Sequence, residues 1–147
     1  MEHTGKILIA LLGFAGFLLA GYIRNHKQKM TPLVCPLEGS CEAVVHSDYS
    51  KILGIPVELL GMTYYAAIAI LYSTAVLYPT LVNTQISYMV LSVSILAFFF
   101  SVYLTAIQAF VLHHWCTWCL FSAGICTSIF LLALIVMNQN ILAVFIN

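Results

Sequence analysis

Long unbroken apolar runs dominate the chain, with neither the alternation of a half-buried strand nor the single stripe of a surface helix. They cover about Ile7–Ile23, Val57–Tyr78, Gln85–Leu112 and Trp115–Met137. A hydrocarbon core of about 30 Å takes about 20 helical residues at 1.5 Å each. The pattern therefore predicts four transmembrane helices. The first run follows Lys6 as a leader peptide would, but its length and the lack of an A-x-A pattern favour a retained span. The third is longer than a membrane requires and is expected to tilt or project. The apolar tail from Asn138 extends the fourth.

One substantial polar segment interrupts this pattern, from residue 24 to 56. Pro32, Pro36 and Gly39 break any continuous helix there. Ser47 followed by Asp48 predicts an N-cap and a short helix to about Leu53, which Gly54 would end. Pro56 suits the start of the second span. Pro79–Thr84 is a short turn, so spans two and three form an antiparallel hairpin. Counting crossings puts the polar segment and the turn near His113 on one side of the membrane.

Composition agrees. The chain has 147 residues, 63% hydrophobic and 7% charged, against roughly 25% charged in an ordinary soluble domain. No Asp, Glu, Lys or Arg occurs from Leu59 to Asn147. This predicts an all-α integral membrane protein embedded in the lipid bilayer, with residues 1–147 as one domain. Net charge is zero and no basic stripe exists, which argues against a nucleic-acid partner.

The candidate chemistry lies in cysteine. Cys35 and Cys41 are a C-x5-C pair in the polar segment, and Cys116 and Cys119 a C-x-x-C pair opening the fourth span. Two residues three apart on a first helical turn share a face, and the N–H groups there favour a thiolate. Such a pair suits redox exchange; a structural disulfide or half a zinc site is the bland reading. Pro36 and Gly39 allow the tight return of a loop disulfide. Together the pairs form a potential relay by thiol–disulfide exchange. A quinone, a lipid-soluble two-electron acceptor, could reach the inner pair laterally among Trp115, Trp118 and Phe121.

Other residues read more plainly. Trp115 fits an interfacial aromatic belt, Trp118 less so. His113 and His114 suit an interface, with metal binding or proton donation as the sharper alternatives. Cys126 reads as packing, and Tyr64, Tyr65 and Phe98–Phe100 as lipid-facing or core.

At this point the chain resembles the vitamin K epoxide reductase family in its short prokaryotic form. The resemblance spans the first to the fourth helix. It rests on Cys35 and Cys41, on Ser47 six residues later, on G-I-P-V at Gly54–Val57, on Gly61, and on Cys116–Cys119. It implies a four-helix bundle around a quinone, with Cys119 facing the quinone and Cys116 exchanging with Cys41. Cys35 would meet the outside partner. Ser47 would stabilise charge developing on the quinone, and a lid helix would bring Tyr49 close. Trp118 is a further candidate for contact with the quinone, and no metal is expected. The implied partner is a thioredoxin-fold thiol oxidase acting in trans, since the length leaves no room for a fused thioredoxin domain. Animal members typically carry Asn at the start of span two and Tyr after the C-x-x-C. This chain has Val57–Glu58 and Leu120–Ala123 instead, which speaks against epoxide reduction and leaves quinone reduction intact.

Sidedness divides the arguments. Arg24, Lys27, Lys29 and Lys51 share the redox face, against Lys6 opposite, and the positive-inside rule would put that face in the cytoplasm. The resemblance implies the extracytoplasmic side of the cell membrane, and that is the expectation kept. Three rivals stand beside the oxidoreductase. One is a thiolate metal-binding membrane protein, and another a disulfide-stapled scaffold. The third is the other four-helix quinone-dependent disulfide oxidase family, in which the C-x-x-C comes early in the chain.

Overall fold

The computed structural model describes residues 2–36, 39–79 and 84–146, without the side chains of residues 2, 84 and 139–146. Its long helices are α1 (Glu2–Gln28), α3 (Val57–Leu77), α4 (Thr84–Ile107) and α5 (Thr117–Ile146). All four are long and apolar enough to cross a membrane. The expected fold class, an all-α four-helix membrane bundle, is the one observed. The tail after Asn138 continues α5, as its apolar character suggested. Most of the short turn expected at Pro79–Thr84 lies outside the described residues.

Helix α1 packs against α3 and α5, and α5 also against α4. Small residues permit the closest contact. A Cβ at Gly13 would meet the backbone of Ala69, and one at Gly16 the ring of Tyr65. In a bilayer, where burial alone does not favour helix association, such close approach supplies much of the packing attraction.

The polar segment folds differently from its expected form. A one-turn helix, α2 (Cys41–Val45), buries Cys41, Val44 and Val45, which fall on one face at helical spacing. The helix expected from Ser47 to Leu53 is a 3-10 turn over Asp48–Ser50. A two-stranded ribbon follows, with β1 (Lys51–Ile52) antiparallel to β2 (Ile55–Pro56). Its turn holds Leu53 at φ 52° and Gly54 at φ 83°. Positive φ at both central residues closes a two-residue hairpin, and Leu53 carries the steric cost a glycine would avoid.

An ion pair ties α1 to the start of α3. Lys27 Nζ lies 2.9 Å from Glu58 Oε1, with side chains 14% and 8% exposed. Lys27 also donates to Ser50 Oγ at 3.1 Å. The cation ends one helix and the anion begins the next, so each complements a helix dipole.

Candidate functional site

The two cysteine pairs lie together at one end of the bundle. Cys41 and Cys116 are 1% and 0% exposed and belong to one apolar cluster with Ile23, Leu33, Val44 and Val45. Half-buried Cys35 and Cys119 pack against it. Cys35 and Cys41 form a disulfide, with Cα atoms 5.8 Å apart, and Cys116 and Cys119 are free thiols.

Cys116 stands one residue before α5, as its N-cap. Its sulfur accepts the Cys119 N–H at 3.3 Å and its carbonyl accepts the Leu120 N–H at 3.0 Å. This is the bonding of a polar N-cap, with sulfur in place of oxygen. The Cys119 thiol and the N–H groups of Cys119 and Trp118 hold the Cys116 pKa below that of a free thiol, against the opposing effect of burial. The sequence placed both cysteines on the first turn; the Cys119 thiol first, and then the N–H groups at the cap, lower the Cys116 pKa.

The loop is fastened to this helix end. The Trp118 indole N–H donates to the Val34 carbonyl at 3.0 Å, and its ring lies against Tyr22. A Cβ at Gly39 would overlap the Trp115 carbonyl oxygen, so only glycine lets the loop come so close. The Cys41 N–H donates to Cys35 Sγ at 3.1 Å.

A cavity of about 440 Å³ opens beside the inner pair. Its walls are mainly apolar, and Cys119 lines it. Ser47, Tyr49 and Ser50 border it from the polar segment, so the expected lid exists in shortened form. The volume falls within the roughly 300–1,000 Å³ of small-molecule sites.

The structure places the other expected residues as follows. Ser47 reaches the cavity, but its hydroxyl donates to the Val44 carbonyl at 2.7 Å, leaving acceptor lone pairs rather than a donor for developing negative charge. It makes no side-chain N-cap bond. Trp118 does not line the cavity and serves the loop contact instead. Of the two readings given for Tyr64 and Tyr65, lipid-facing or core, the core one holds: Tyr65 belongs to the buried cluster, Tyr64 packs against it, and both also line the cavity. The Tyr65 hydroxyl bonds the Ser122 carbonyl at 2.8 Å, and the Tyr64 hydroxyl bonds Ser94 Oγ at 3.3 Å. Cys126 is buried as expected and borders the same cavity. His113 and His114 are exposed and outside it.

Among the cavity residues that sequence reasoning missed, two polar ones stand out. Glu58 is one, and Gln108, 4% exposed at the start of a π-helical turn (Gln108–Leu112), is the other. Both were detectable as polar residues at or inside apolar spans. Among the described residues, no three His, Cys, Asp or Glu side chains gather in a way that would hold a metal ion.

A multi-pass membrane bundle with two cysteine pairs meeting at the end of an apolar cavity defines a membrane redox protein of the disulfide class. The chain belongs to the vitamin K epoxide reductase family, whose model matches residues 7–134 of the 147. No curated protein matches the chain. The family is one of membrane oxidoreductases that work with thiol partners and quinones.

Proposed function

We propose that this protein carries electrons from a thioredoxin-fold partner to a quinone in the cavity, and so supports disulfide formation. Reduced partner thiols open the Cys35–Cys41 disulfide at half-buried Cys35. The Cys41 thiolate then attacks oxidised Cys116, giving a mixed disulfide. Cys35 resolves it, which restores the loop disulfide and leaves Cys116 and Cys119 as thiols. Their two S–H bonds break, one S–S bond forms, and two electrons and two protons reduce quinone to quinol.

One observation carries this reading. Cys116 is buried in the cluster that holds Cys41, while Cys119, three residues on, lines the cavity. One helix end thus meets both the dithiol and the acceptor site. The low thiol pKa of Cys116 favours it as the leaving sulfur in exchange.

The route is tested by trapping. A Cys35→Ala, Cys119→Ala variant should form a Cys41–Cys116 disulfide on mild oxidation, identified by peptide mass spectrometry. Linkage of Cys41 to Cys126, or none, contradicts the route.

We place the redox face outside the cytoplasm. The opposing charge argument is weakened at Lys27, which is neutralised by Glu58. An impermeant thiol reagent applied to intact cells under mild reduction should label Cys35. Labelling only after lysis reverses the assignment.

A further inference from the structure

Gln108 has a half-used side chain. Its Oε1 accepts the backbone N–H of Cys116 at 3.1 Å. Because the partner is a donor, the carbonyl oxygen must face Cys116, and the amide –NH2 must point the other way. That –NH2 has no acceptor among the described residues, yet it is not a sealed, unsatisfied group. The residue lines the cavity and is 96% buried by complement of its 4% exposure. An amide donor so placed costs free energy unless something in the cavity accepts from it.

The backbone is built for this placement. α4 widens into a π-helical turn over Gln108–Leu112, a rare form that recurs at functional sites. His113 then takes a left-handed conformation, φ 52°, and turns the chain toward Cys116. Ser47, the donor expected from the resemblance, has its proton committed to Val44.

We propose that Gln108 binds the acceptor's carbonyl oxygen, donating from its –NH2 to that oxygen while its Oε1 holds Cys116. The proposal rests on the quinone reading above and names the residue that recognises the ring. As two electrons leave the Cys116 and Cys119 sulfurs and their disulfide closes, negative charge grows on the carbonyl oxygen before protonation. A fixed N–H donor stabilises that charge at no cost of reorganisation.

The test is Gln108→Glu in the full-length protein in detergent, with a reduced thioredoxin-fold donor and a short-chain ubiquinone. Burial raises the pKa of the introduced carboxyl, so the assay is run across pH to the alkaline side: once ionised, the carboxylate still accepts from Cys116 but cannot donate. The kcat/KM for quinone should fall about 100-fold, the scale for losing an oxyanion donor, and by more than exchange between the cysteine pairs slows when followed by alkylation trapping without quinone. The unaltered protein, loaded with quinone labelled with 13C at its carbonyls, should show a carbonyl stretch lowered by hydrogen bonding. That shift should be lost in the variant. Unchanged kcat/KM in the variant, or an unshifted band in the unaltered protein, overturns the assignment. Absence of quinone turnover in the unaltered protein instead sinks the quinone reading, and this proposal with it.

Discussion

The backbone N–H of Cys119 points at the sulfur of Cys116 from 3.3 Å, so the inner pair of cysteines is also the cap of its helix. The cap sulfur faces the buried cluster with Cys41, and the next cysteine faces the cavity. In the proposed relay, redox chemistry and helix initiation share the same atoms. Closing the inner disulfide must alter the cap.

This geometry sets a pH dependence. The Cys116 pKa is lowered, chiefly by the Cys119 thiol. A lowered pKa keeps the thiolate as pH falls, so the rate at which inner thiols open the loop disulfide should decline only below the roughly pH 8.5 of a free cysteine. Cys119→Ala removes the largest lowering influence and leaves burial opposed only by backbone N–H groups. The acid limb of the rate profile should move to higher pH. Alkylation trapping across pH measures it, and an unmoved limb contradicts the assignment.

Gly39 should tolerate no side chain. Alanine there would drive its Cβ into the Trp115 carbonyl, and overpacking of this kind costs about 1–3 kcal/mol. The loop would lift from the helix end, so exchange between the cysteine pairs should slow while quinone binding is retained. Measured separately, the two half-reactions should divide in that way.

Trp118→Phe keeps a ring against Tyr22 and removes the bond to Val34. Loss of one such hydrogen bond costs about 0.5–1.5 kcal/mol. Hydrogen exchange should show faster opening of residues 33–36, with little change in KM for quinone because the indole does not line the cavity.

The Lys27–Glu58 pair is too buried to lose one member cheaply. Glu58→Leu strands a cation and should destabilise the fold by about 3–5 kcal/mol. The double variant Lys27→Met, Glu58→Leu should recover most of that loss, because both desolvation costs vanish together. Thermal unfolding of the two variants checks the sign: equal losses in both would contradict it.

Much of this architecture was legible in the sequence. Four apolar runs without charge after Glu58 admit few alternatives to four spans, and crossing number alone brings Cys35 and Cys41 to the side of Cys116 and Cys119. The lid was harder. Leu53 in a left-handed conformation is not a residue that announces a hairpin turn, so I-L-G-I-P read as the end of a helix. Helix α2 is too short for periodicity to reveal. The cavity walls were hidden because the spans are apolar on every side, leaving no stripe to tell Tyr64 and Tyr65 from lipid-facing residues. The bond that Ser47 makes was hidden for a different reason: residue type cannot show that its hydroxyl donates to the Val44 carbonyl.

The most direct test of the central claim is quinone reduction by the purified protein in detergent, supplied with a reduced thioredoxin-fold donor, beside Cys119→Ser. Steady quinol formation is expected from the unaltered protein and should disappear in the variant, while the Cys35–Cys41 disulfide is still reduced by the donor. Undiminished quinol formation in Cys119→Ser, or none from the unaltered protein with several quinones, would contradict that claim.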